Sequence, residues 1–101
     1  MNAPRRHPHA KADIEREARW YDAQKPELGA DFVDEVKRVI GLVAENPLRY
    51  RIRFGNWHRA NLRRFPHGVF YQVLGDQPVI FAVLHAQRDH GPILESRRPT
   101  P

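Results

Sequence analysis

The chain has 101 residues, 41% of them hydrophobic and 29% charged, with 17 Lys and Arg against 12 Asp and Glu and no cysteine. That length makes one domain, since domains cluster near roughly 100–150 residues. The absence of cysteine excludes disulfide scaffolds, thiolate zinc sites and cysteine nucleophiles. The longest apolar runs, such as residues 79–84, fall far short of the ~20 residues a membrane helix needs. Residues 1–9 are basic but contain no apolar run, so they do not read as a signal peptide, and a reducing, cytoplasmic setting is expected. The charge is uneven: residues 1–47 carry −1, and residues 48–101 carry +6 with every cation an arginine. Arginine's planar fork suits phosphate and carboxylate partners, so the second half points to nucleic acid or an acidic protein segment. A solvated basic surface kept for solubility is the plainer alternative.

Two helices come first. Over residues 10–24 the apolar positions Ile14, Ala18 and Tyr21 recur at helical spacing, with Trp20 beside them, and both aromatics are expected in the core. Lys25-Pro26 stops this helix, because proline disfavours helical geometry in the residue before it. A second helix is expected from Pro26-Glu27, with a stripe of Leu28, Phe32, Val36, Val39, Ile40 and Val43, ending at Asn46-Pro47. So short a connection makes the two an antiparallel hairpin.

After Pro47 the period changes to two. Tyr50, Ile52 and Phe54 alternate with Arg49, Arg51 and Arg53, and Gly55-Asn56 marks a turn. Residues 58–65, 69–74 and 78–86 read as further strands, joined by Pro66-His67-Gly68 and Gly75-Asp76-Gln77. The fold class is α+β: an N-terminal helix hairpin packed on a three- to four-stranded antiparallel sheet. Residues 79–84 are apolar on both faces and so predict a central strand, which needs two neighbours. The meander supplies one. The other is either residues 1–9, a poor strand with two prolines, or a partner protein. Residues 10–90 form the single domain, and residues 91–101, with Gly91, Pro92, Pro99 and Pro101, form a tail frayed at its end.

The helix–helix–meander order carries particular residues. They are Ala18-Arg19-Trp20-Tyr21-Asp22 through Leu28-Gly29, then Phe32, Glu35 and Ile40, and Glu45-Asn46-Pro47. Arg59 through Pro66, Tyr71 and Val83 through Asp89 follow. This ordered set, over roughly residues 10–90, resembles the RelE/ParE superfamily of type II toxin–antitoxin toxins, with the ParE branch favoured. The family opens with a strand of alternating apolar residues, and residues 1–9 depart from that pattern.

The resemblance implies a growth-inhibiting protein bound by a cognate antitoxin in a hetero-oligomer. A ParE-like protein would act on DNA gyrase and catalyse nothing itself. A RelE-like one would be a ribosome-dependent mRNA endonuclease, needing a base, an acid and cations around the phosphorane. The resemblance would give those roles to Arg64, His85 and Arg88, but no tyrosine follows Tyr71. A third reading is a degenerate, non-toxic member that only binds antitoxin. For contact with gyrase or RNA the candidates are Arg59, Arg63, Arg64, Arg88 and Trp57, the last expected to be partly exposed after its turn. Each has a plainer reading: Arg59 and Arg63 as a solvated face, Arg64 paired with Asp22 or Glu35, Arg88-Asp89 as a charged turn, His85 as a core-edge residue. His7 with His9, and His85 with His90, lack a third ligand at metal spacing, so neither a metal nor a cofactor is expected.

Overall fold

The computed structural model describes residues 4–99. Met1–Ala3 of the expected first strand and Thr100–Pro101 of the expected tail lie outside them. Helix α1 (Pro8–Gln24) starts earlier than the apolar period predicts, because Pro8 occupies its first turn, where a missing N–H costs nothing. His7 caps it, its Nδ1 accepting from the N–H of His9 at 3.2 Å. The helix ends at an extended Lys25, as Pro26 requires. Helix α2 (Leu28–Glu45) starts after Glu27, which is held at φ +71° and offers no side-chain cap. Asp22 supplies one instead, its carboxylate accepting from the N–H of Gly29 at 2.8 Å. The helices cross closely there: a Cβ on Gly29 would collide with the carbonyl oxygen of Ala18.

Among the described residues the sheet has five strands, one or two more than expected: β1 (Arg5–Arg6), β2 (Ile52–Phe54), β3 (Trp57–Asn61), β4 (His67–Leu74) and β5 (Gln77–His85). Their order is β1-β5-β4-β3-β2. The meander is antiparallel, but β1 runs parallel to β5, with Arg5 opposite Val79 and Arg6 opposite Ile80. The apolar β5 is thus flanked on both sides, and the N-terminal segment is its second neighbour. Pro4 and Pro8 bracket β1 and hold it to two residues. β3 ends at Asn61 rather than at Phe65, because the chain turns through residues 62–66, where Leu62 donates to His67 across the turn at 3.0 Å.

Both faces of the sheet are covered, which explains the near-continuous burial of β4 and β5. On one face Val69, Tyr71, Ile80 and Val83 pack with Phe32, Val36 and Val43 of α2 and Ile14 of α1. On the other, Trp57, Phe70, Phe81 and Leu84 pack against Leu94. Leu94 belongs to a third helix, α3 (His90–Ser96), where the sequence suggests only a tail. Pro92 falls within the first turn of α3, so it does not break the helix. Just past it, Arg97 is fixed by Asp13 of α1 at 2.5 and 3.1 Å and donates to the carbonyl of Phe81 at 3.2 Å.

Candidate functional site

The end of β3, the start of β4 and the end of β5 lie together, since Asn61 pairs with Gly68 and His67 with His85. Glu35 of α2 organises the connection at this end. It lies on the buried stripe of its helix and accepts from Arg38 at two positions, both 2.9 Å. It also accepts from the backbone N–H of Arg63 at 2.7 Å and of Arg64 at 3.4 Å. The Arg38 guanidinium and these N–H groups hold its carboxyl at about 2 against the opposing effect of burial. With their backbone fixed from beneath, Arg63 and Arg64 turn their side chains to solvent. Arg64 is 60% exposed and reaches Asp31 at 3.5 Å, not Asp22 or Glu35.

Arg59 takes the other face of the sheet. Its guanidinium lies 5.3 Å from the centroid of Phe70, and its Nε donates to Asn61 at 2.7 Å. It lies across Gly68, where a Cβ would come within 2.6 Å of that Nε, so a larger residue there would displace the Arg59 side chain. Desolvation, and then Arg53, lower its pKa. Among the described residues no carboxylate pairs with it. A half-buried cation without a counter-ion retains charge that an anionic group can satisfy. A cavity of about 250 Å³ beside it is lined by Asn61, Leu62, Phe65, Pro66, His67 and Ala86.

His85 closes β5 half-buried, its Nδ1 accepting from the N–H of Gln87 at 3.0 Å. Arg88 follows in an exposed turn. The fold therefore gathers Arg59, Arg63, Arg64, His85 and Arg88 at one end of the sheet, with Arg64 on the α2 side and Arg59 on the opposite one. Trp57 does not join them. Expected to be partly exposed, it is only 3% exposed and packs edge-on to Phe81 at 5.4 Å, because α3 closes that face. Tyr71 is structural as well: buried, it donates to the carbonyl of Pro47 at 2.6 Å, and burial pushes its hydroxyl up to about 12.

Compared with known families, the chain matches the one described as ParE toxin of type II toxin-antitoxin system, parDE, over residues 5–90. It belongs to the ParE toxin family. Among solved structures it is similar to the chromosomal ParDE TA system from P. aeruginosa, with a TM-score of 0.73 and 18% identity. That likeness covers 84% of this chain and 96% of the other and shows a shared fold. No curated protein sequence matches the chain. The ParE match starts at Arg5, so it takes in the two-residue β1, and it ends at His90, where α3 begins.

In this ParE-family chain, two features of the site have no signal in the sequence. His67 is buried, with 1% of its side chain exposed, and its Nε2 lies 3.1 Å from Glu17 of α1, 50 residues away. Among the described residues its Nδ1 has no hydrogen-bond partner. Trp20, expected in the core, is 56% exposed. Only Tyr21 turns inward, against Phe32 and Phe65 at 5.3 and 4.9 Å.

Proposed function

We propose that this ParE-family protein arrests growth by binding DNA gyrase through the arginine end of its sheet, and that a cognate antitoxin neutralises it by covering that end. The observation that carries the reading is Arg59: half-buried, without a carboxylate partner among the described residues, and at the same end of the sheet as the exposed Arg63, Arg64 and Arg88. Such a group favours a macromolecular partner that brings an anion to it. Family membership supports the toxin role.

The test is induction of the chain alone, with plasmid supercoiling and DNA breaks followed in the arrested cells. Loss of negative supercoiling, reproduced with purified gyrase, is expected. Growth arrest with unaltered topology and codon-phased mRNA cleavage would overturn the gyrase reading and favour an endonuclease using Arg64, His85 and Arg88. Harmless accumulation of folded protein would leave a chain that only binds antitoxin. Co-purification with the product of an adjacent small reading frame tests the pairing.

A further inference from the structure

We propose that the cleft between the second half of α1 and the β4–β5 end receives an arginine side chain of the antitoxin. The proposal rests on the pairing read above and names its anchor. The cleft encloses about 390 Å³ and is lined by Glu17, Trp20, Tyr21, Pro66, His67 and His85. Glu17 keeps 18% of its side chain exposed and uses one oxygen toward His67. That contact places the hydrogen of His67 on Nε2, which leaves Nδ1 as a buried acceptor with no partner. Trp20 presents an exposed indole, set edge-on to Tyr21 at 5.1 Å. The donors along it are the Trp20 indole N–H, the Tyr21 hydroxyl and the Nε2 of His85, whose Nδ1 accepts from Gln87.

The partly exposed Glu17 carboxylate beside the exposed Trp20 indole selects a cation. An anionic side chain would meet Glu17, and a purely apolar one would strip water from Glu17 without replacing its hydrogen bonds. Arginine fits better than lysine because its guanidinium stacks flat on an indole and is more weakly hydrated. The chain carries a formal charge of +5, so long-range attraction does not bring a cation here. The contact would serve specificity at short range rather than steering. The partner is taken as the antitoxin because the reading above has it cover this end. Pro66 and His67 line both this cleft and the cavity beside Arg59, so a segment anchored in the one lies at the border of the other.

The probes are the tripeptide amides Ac-Ala-Arg-Ala-NH2 and its Lys, Leu and Glu counterparts, titrated into the full chain by NMR. The arginine peptide should shift the Trp20 indole and His67 resonances saturably, the lysine peptide several-fold more weakly, and the leucine and glutamate peptides not at all. Trp20→Ala and Glu17→Gln should each weaken arginine binding at least fivefold while melting cooperatively. Equal binding of the leucine peptide, or a folded Glu17→Gln protein that binds arginine as tightly as the parent, would overturn the proposal. Calorimetry with the protein from the adjacent reading frame separates the two claims. If the unmutated chain does not bind that protein, the pairing fails. If it binds and neither substitution weakens the complex at least fivefold, the pairing stands and the anchor is refuted.

Discussion

Glu35 and His67 are buried ionisable groups at the same end of the molecule, and acid acts on them in separate windows. The carboxyl of Glu35 is held at about 2, foremost by Arg38 and then by the N–H groups of Arg63 and Arg64. Its stabilising contribution is therefore complete above its ordinary 4.5 and is lost as pH falls toward 2. Glu35→Ala should cost about 2–3 kcal/mol, the usual penalty for stranding hydrogen-bonding groups at a buried site. Urea unfolding of Glu35→Gln should show a flatter loss of stability below pH 4.5; a curve parallel to the parent's would remove Glu35 from this role. Burial lowers the pKa of His67 more than Glu17 raises it, so the unfolded chain binds the proton more readily. Stability should accordingly decline as pH drops below 6.5, a decline that His67→Phe, set among Tyr21 and Phe32, should reduce. An unchanged slope between pH 7 and 5 would refute this. Single residues were the least legible level of the sequence. Glu35 and Arg38 show their i, i+3 spacing plainly, but not the backbone 28 residues on that Glu35 holds. Trp20 and Trp57 exchange their expected places because Trp20 sits about 100° around the helix from Tyr21, while α3 seals Trp57 from outside.

At the level of elements, the weakness of β1 is offset from two distant parts of the chain. β1 ends at Arg6, opposite Ile80, and leaves the outer edge of β5 open beyond that point. There Asp13 of α1 accepts from the N–H of Val83 at 3.0 Å, and Arg97, pinned by the same carboxylate, donates to the carbonyl of Phe81. A helix side chain and an arginine thus satisfy groups that a longer strand would have paired. They also block the edge against unwanted strand addition. Asp13→Ala strands the charge of Arg97 and should cost about 3–5 kcal/mol, and Arg97→Ala should cost less, because Arg16 still pairs with Asp13 at 3.1 Å. The double substitution should cost clearly less than the two together, because they share one interaction. Strict additivity in urea unfolding would show that the pair does not act as a unit. The helix hairpin, the meander and the central β5 were all legible, since each rests on periodicity or on a strong stop signal. Asp13 carried a partial signal, a carboxylate between Ala10 and Ile14 on the stripe that faces the core. α3 carried almost none: seven residues containing Gly91 and Pro92 hold too few apolar positions to show a period.

Across the whole molecule, the arginines of the second half divide into two working classes. Arg49, Arg51 and Arg53 are exposed along the β2 side, and Arg63 and Arg88 are exposed at the β3–β4 end. Arg59 is half-buried in contact with Phe70 and Asn61. The charge asymmetry read from the sequence therefore survives folding as an outward surface, although Arg97 is withdrawn into the pair with Asp13. Exposed charges act on an approaching partner through a field that decays over roughly 8 Å at physiological salt, so they set the association rate and lose influence as salt rises. A half-buried guanidinium acts by contact with a desolvated anion, is screened far less, and sets the dissociation rate. Association with immobilised gyrase at about 50 and about 300 mM salt should separate the classes. An Arg49→Ala, Arg51→Ala, Arg53→Ala triple variant should associate several-fold more slowly at low salt and match the parent at high salt. Arg59→Ala should dissociate at least tenfold faster at both concentrations. If high salt erases the Arg59→Ala defect as well, Arg59 is one more surface charge, and the contact assigned to it does not exist.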